Sequence, residues 1–400
     1  MRVLLSTYGT RGDVEPLVAL AVQLRAHGVE VRLCAPPDEE FAERLAGLGV
    51  HLVPIGPPVR ELMRATPPSA AELARYRTEL VDAQFDILPA AAEGCDALVV
   101  AGLAQAGARS VAEAAGIPYV YVTYAAVNLP SPHHAPPPRP GWPEPAGDDN
   151  PARWDEDARR VNEQFREPLN GHRAALGLPA VDDVRAHVYT GRPWLAADPA
   201  LGPWPETPGI DVVQTGAWSQ ADERPLPAGL ETFLDAGAPP VYVGFGSIRP
   251  SPDIAAWAVA AARARGRRVL VARGWADLDL ADGRDDCFAV GEVNQQRLFG
   301  LVAAVVHHGG AGTTATAARA GVPQVVVPVQ LADNPYWAGR VAEVEVGAAL
   351  DGRTATRASL DAALETALAP ETRARATALS TRMRADGAKV AASLLVDTIR

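Results

Sequence analysis

Residues 307–314 read His-His-Gly-Gly-Ala-Gly-Thr-Thr, preceded by the apolar, β-branched run 303–306 and followed by a stretch of good helix formers. A strand that ends in glycines where a helix opens, here at about Thr313, presents unpaired N–H groups and about half a positive charge. Glycines let the backbone approach a ligand closely and adopt φ > 0. The hydroxyls of Thr313 and Thr314 can cap the helix or add donors. This chemistry suits a phosphate, and one histidine could stabilise negative charge on a departing diphosphate. A plain glycine-rich turn before a capped helix is the other reading of the same residues. The stretch is not a GK[ST] phosphate loop. The first strand, ending in Gly9-Thr10-Arg11-Gly12-Asp13, lacks the GxGxxG spacing of a dinucleotide fingerprint.

Other groups able to do chemistry are fewer. Asp13 stands in the first strand-to-helix link, where a carboxylate can serve as a general base or cap the helix. Asp333 is a second carboxylate in a link of the C-terminal half. Asp277-Leu278-Asp279, with Asp282 nearby, has the DxD form that holds a divalent ion on a diphosphate, but reads better as a solvated acidic turn. His133-His134 lacks ligand spacing. Cys34, Cys95 and Cys287 are scattered, without CxxC or metal spacing, and read as reduced thiols of a cytoplasmic protein.

Those residues need elements to position them. RVLLST, VEVRLCAPP and VHLVPIG are strands separated by the helices LVALAVQLRAHG and FAERLAGLG, with GTRGDVEP as a loop. Such alternation implies a parallel sheet with right-handed crossovers. It continues through CDALVVAG, RSVAEAAG and IPYVYVTY, then breaks at 129–151, a proline-dense segment expected to form a long, mobile loop. After residues 216–228, which read as a linker, the alternation restarts with PPVYVGFGS. The expected organisation is α/β, with two doubly wound domains at 1–215 and 229–379 and a final helix at 380–400. Ligands of such sheets bind beyond the C-terminal ends of the strands.

The 400 residues provide enough apolar material for two cores, with 48% hydrophobic residues. The net charge of −11 argues against a nucleic-acid surface. No apolar run is long enough for a membrane span, and MRVLLSTYG is too short for a signal segment. Lys389 is the only lysine beside an abundance of arginine, alanine and proline, a bias typical of GC-rich bacterial genomes such as those of actinobacteria.

The opening MRVLLSTYGTRGDVEPLVALA, PWLAADP, QTGAW, PVYVGFGS, RGWADL, GEVN, HHGGAGTT and QLADNPYWAGRVAE occur in an order that resembles the inverting, nucleotide-sugar-dependent glycosyltransferases of the GT-B type. The chain is especially similar to the bacterial enzymes that glycosylate glycopeptide antibiotics of the vancomycin group. The resemblance implies two Rossmann-like domains facing across a cleft, the first for the acceptor and the second for the nucleotide sugar. It implies a C-terminal helix that crosses back to the first domain.

The resemblance also implies roles. His308 would contact the diphosphate, with His307 packed beneath the loop, and Gly309, Gly310, Gly312 and Thr313 would supply donors. Gly246 and Ser247 of GFGS would face the same phosphates. Arg273, Trp275 and the main chain of Val293 would hold the nucleobase and nearby groups. Asp333 and Asn334 would lie near the sugar hydroxyls; relatives carry Gln where this chain has Asn334, which shortens the reach by one methylene. Thr10, Arg11 and Gly12 would line the donor side of the first loop, with Asp13 or Asp333 as the base. The donor would be a dTDP- or UDP-sugar, with no cofactor and no metal. The acceptor would be a hydrophobic or aromatic natural product, held partly by the proline-rich loop through residues such as Pro136 and Trp142. A monomeric protein is expected. A nucleotide-sugar 2-epimerase of the same fold and a non-catalytic glycosyltransferase partner are the alternatives.

Overall fold

In the computed structural model the chain is described at residues 1–64, 69–139, 141–143, 147–278, 284–329 and 332–400. It divides into two compact units. The first comprises Met1–Ala197, Pro203–Gln220 and Ala385–Arg400; the second comprises Asp198–Gly202 and Ala221–Arg384.

The first unit runs β1 (Arg2–Thr7), α1 (Arg11–Ala26), β2 (Glu30–Ala35), α2 (Glu39–Gly47), β3 (His51–Pro54), α3 (Val59–Arg64), α4 (Ala70–Ala92), β4 (Ala97–Ala101), α5 (Ala108–Ala115), β5 (Tyr119–Thr123), α6 (Asn150–Ala175), α7 (Val184–Tyr189), β6 (Trp194–Leu195) and β7 (Val213–Gln214). These strands form one parallel sheet in the order β3-β2-β1-β4-β5-β6-β7. The central strands β1 and β4 are buried on both faces, which is why Val3-Leu4-Leu5 and ALVVA run apolar rather than alternating.

The second unit contains α8 (Ala228–Asp235), β8 (Val241–Val243), α9 (Pro252–Ala264), β9 (Val269–Ala272), β10 (Cys287–Val290), α10 (Gln295–Leu298), β11 (Ala304–His307), α11 (Ala311–Arg319), β12 (Gln324–Val326), α12 (Asn334–Glu343), β13 (Gly347–Ala349), α13 (Arg357–Leu368) and α14 (Pro370–Ser380). Its parallel sheet has the order β10-β9-β8-β11-β12-β13. Valines and alanines of β8, β9, β11 and β12 pack against α9 and α13 to form its core.

The final helix, α15 (Gly387–Ile399), belongs to the first unit and packs on α1. A Cβ on Gly387 would meet the carbonyl carbon of Gly216 at 2.5 Å, so only glycine allows the helix to begin there. The final helix is therefore shorter than the expected 380–400 and begins at Gly387. The helical run breaks between α14 and α15, where the chain passes from the second unit to the first.

Two expectations need correction. The segment GTRGDVEP is mostly helix, because α1 begins at Arg11 rather than after Pro16. Thr10 is its N-cap and Asp13 stands at N3, completing a capping box that outweighs the one bond lost at Pro16. The described part of the proline-rich segment is tied down rather than mobile. Arg139 grips the buried Asp157 of α6 at 2.6 and 3.1 Å, Trp154 Nε1 donates to the His134 carbonyl at 2.9 Å, and Asn150 donates to the Pro132 carbonyl at 3.0 Å. Trp142 adds its ring to the cluster formed by Tyr121, Phe165 and Tyr189. These side-chain anchors replace the regular backbone pairing that the prolines prevent.

Candidate functional site

β11 carries the chain through the centre of the second sheet and releases it at His307. His307 is fully buried beneath the turn. Its Nε2 pairs with Gln324 Oε1 at 2.9 Å, and its Nδ1 accepts the Gly309 N–H at 3.1 Å. Burial, reinforced by the adjacent His308, lowers its pKa to about 3. This histidine is a structural pin that shapes the loop above it.

His308 is also nearly buried, and burial lowers its pKa to about 4. It is therefore a neutral ring at pH 7. Its Nδ1 has no hydrogen-bond partner among the described residues, a costly state for a buried polar atom unless something binds there. The ring is packed between two glycines. A Cβ on Gly310 would collide with Nε2, and one on Gly246 would lie 3.3 Å from Cε1. Gly309 adopts φ +90°, and a Cβ there would meet the Asn334 carbonyl at 2.9 Å.

The helix α11 opens at Ala311, two residues before Thr313, with Gly310 as an N-cap that has no side chain to satisfy the first-turn N–H groups. Thr313 is half-buried and Gly312 exposed in that first turn. Thr314 is buried and turns its hydroxyl back to the Gly310 carbonyl at 2.9 Å, so it does not cap the helix. The first-turn amides and the His308 imidazole thus face an anion-sized need for acceptors.

β8 lies beside β11 and brings a second glycine turn to the same place. The Gly244 N–H donates to the Val306 carbonyl at 3.0 Å, and Gly246 follows at φ +60° with Ser247 half-buried next to it. Gly274, at φ +58°, packs on the Gly246 carbonyl, which accepts the Trp275 N–H at 3.0 Å. Arg273 donates its N–H to Val290 at 3.0 Å and is exposed; Trp275 and Val293 are buried. Gly246, Trp275, His308 and Gly309 are thereby gathered through direct backbone packing.

Asp333 precedes α12 and accepts the Trp337 indole N–H through Oδ2 at 3.1 Å. Burial raises its carboxyl pKa, while the indole bond opposes that shift. Ala332 before it has φ +72°, a strained value for a non-glycine residue. Asn334 is buried at the start of α12. Asp277 is exposed at φ +49°, whereas Asp279 and Asp282 lie outside the described residues. No group of three or more metal-ligating side chains is gathered among the described residues.

The first unit presents its own corner, at the C-terminal end of β1. The Thr10 N–H donates to Asp13 Oδ2 at 2.8 Å. A Cβ on Gly9 would collide with that carboxylate. Tyr124, just after β5, donates its hydroxyl to the Asp13 carbonyl at 3.0 Å. Arg11 points to Glu15 and Glu40, at 3.6 and 3.9 Å, and Gly12 is exposed. Gln324 and Tyr124 carried no signal in the sequence. Each acts through a partner remote in the chain, and neither lies in a recognisable motif.

Residues 3–129 match the family described as the glycosyltransferase family 28 N-terminal domain. Residues 278–393 match the erythromycin biosynthesis protein CIII-like C-terminal domain. The chain is 57% identical to glycosyltransferase GtfE of Amycolatopsis orientalis, over 99% of this chain and 97% of the relative. It is 55% identical to vancomycin aglycone glucosyltransferase of the same organism, over 100% of this chain and 98% of the relative. Among solved structures it is similar to the glycosyltransferase of kitacinnamycin, with a TM-score of 0.73 and 20% identity over 100% and 99% of the two chains, a likeness of fold.

Proposed function

The chain belongs to the glycosyltransferases of antibiotic biosynthesis, and from that premise we propose an inverting transfer of a hexose or deoxyhexose from a dTDP- or UDP-sugar to a hydroxyl of a bulky aglycone. A glycopeptide is the first choice of acceptor and an aromatic polyketide the next. The observation that carries the donor half is the buried Nδ1 of His308, which has no partner among the described residues and lies between Gly246 and the start of α11.

In this reading the diphosphate sits on His308, Gly309, Gly310, Gly312, Thr313, Gly246 and Ser247. A neutral imidazole donates one hydrogen bond without a proton being lost, and the helix start adds aligned amide dipoles as charge develops on the leaving oxygen. That arrangement can stabilise the diphosphate with no metal. Trp275, Arg273 and the Val293 main chain hold the nucleoside, and Asp333 and Asn334 hold the sugar. Asp13 takes the proton of the attacking hydroxyl. Its place in the capping box holds the carboxylate through Oδ2, which accepts the Thr10 N–H at 2.8 Å. Thr10, Arg11 and Gly12 supply the helix start that holds it. The anchored segment 129–139 forms part of the acceptor wall. A monomer working in the cytoplasm suits an enzyme that draws on sugar nucleotides.

The test is transfer from dTDP-glucose and UDP-glucose to vancomycin aglycone, followed by mass spectrometry, in buffer with EDTA. A product heavier by one hexose supports the proposal. Free epimerised donor with no glycosylated product contradicts it, and loss of activity on chelation contradicts the metal-free mechanism.

A further inference from the structure

The corner that holds Asp13 is built with more care than a capping box requires. The box itself consumes one carboxylate oxygen, through the Thr10 N–H at 2.8 Å. A capping box normally completes a helix start with no help from elsewhere in the fold. Here a further strand end contributes. Tyr124 follows β5, which is separated from β1 in the sheet by β4. Its hydroxyl crosses that distance to donate to the main-chain carbonyl of Asp13 at 3.0 Å. Gly9 leaves open the space beside the same carboxylate oxygen that the box engages, Oδ2, which a Cβ would take.

Two parts of the fold therefore meet at one residue: the Gly9-Thr10 turn after β1 and the phenol of Tyr124 just after β5. Tyr124 is itself half-buried, so its ring is held by the fold while its hydroxyl is aimed at the first turn of α1. Asn128 and Thr123 stiffen the same strand end through a 2.9 Å side-chain bond. The tyrosine hydroxyl donates to the main-chain carbonyl of Asp13. That bond can set where the helix turn, and the side chain on it, stands.

We propose that Tyr124 is the positioning residue for Asp13, holding the first turn of α1 so that the carboxylate meets the acceptor hydroxyl. This inference rests on the reading of Asp13 as the base. Proton transfer and displacement are sensitive to placement, so the hydroxyl acts on turnover rather than on binding. Loss of one neutral hydrogen bond is worth about 1 kcal/mol, or roughly fivefold in rate.

The experiment is a double-variant cycle with dTDP-glucose and vancomycin aglycone as probes. Steady-state kcat and both KM values are measured for the wild type, Tyr124→Phe, Asp13→Asn and the double variant. Thermal unfolding and dTDP titration establish that each protein is folded. We expect Tyr124→Phe to lower kcat about fivefold with both KM values unchanged, and to have no further effect once Asp13 is Asn. An unchanged kcat in Tyr124→Phe, or the same fivefold loss in both backgrounds, overturns the inference and leaves the base intact. A loss of less than about tenfold in Asp13→Asn overturns the reading of the base itself, and the inference with it.

Discussion

The two strand-to-helix corners, at the end of β1 and at the end of β11, have the same grammar and opposite chemistry. Each places a glycine beside a side chain that a Cβ would strike: Gly9 against Asp13, and Gly310 against His308. At the first corner the helix start is satisfied from within, because Thr10 and Asp13 close a capping box. At the second corner Gly310 is the cap, and no side chain among the described residues fills it. The first therefore keeps a carboxylate for itself and suits the removal of a proton. The second leaves amides and a neutral imidazole unmet and suits the arrival of an anion. Under the proposed function, the capped helix start holds the base and the uncapped one receives the diphosphate.

The largest test of that contrast removes the carboxylate. Asp13→Ala should reduce kcat by about 10²–10⁴-fold, or about 3–5 kcal/mol of barrier, while dTDP affinity is unchanged. Steady-state kinetics beside calorimetry would show whether the loss is confined to turnover; a fall below about tenfold removes Asp13 as base.

The paired glycines sharpen the division of labour. Gly310→Ala should push the His308 ring aside and weaken nucleotide binding by about tenfold or more, the 1–3 kcal/mol typical of overpacking. Gly9→Ala should instead lower kcat with little change in nucleotide affinity. If both variants damaged the same parameter, the two corners would not be doing separate work.

A separate test concerns stability rather than turnover. His307 and His308 have folded pKa values of about 3 and about 4, below the ordinary value near 6.5. The unfolded chain therefore binds protons at a pH where the folded chain does not. Stability should be fully present above about pH 6.5 and fall as the pH drops towards 4 and then 3. Thermal unfolding across pH 4–7 would show this slope, and His308→Ala should flatten it. An equal slope in the variant would assign it to other groups.

Much of the frame was legible because the central strands of parallel sheets are buried on both faces and read as continuous apolar runs. The strand at 304–307 and its glycine turn were visible for that reason, as was the resemblance carried by HHGGAGTT. The start of α1 was misread because Gly12, Asp13 and Pro16 look like loop residues one at a time, whereas the signal lay in the Thr10–Asp13 spacing. β7 and β13 have two and three residues, too few to show alternation, and exist only through their neighbours in the sheet. The pin from Gln324 to His307 and the bond from Tyr124 to Asp13 span 17 and 111 residues of chain, and no local pattern announces either.

The central claim is that the uncapped corner at His308 is the nucleotide-sugar site. The most direct measurement is calorimetric titration of the protein with dTDP and with UDP, repeated on His308→Ala. Micromolar binding of one diphosphate, weakened at least tenfold in the variant, is the predicted result and also names the base of the donor. Binding of neither, or equal binding by wild type and variant, would contradict it.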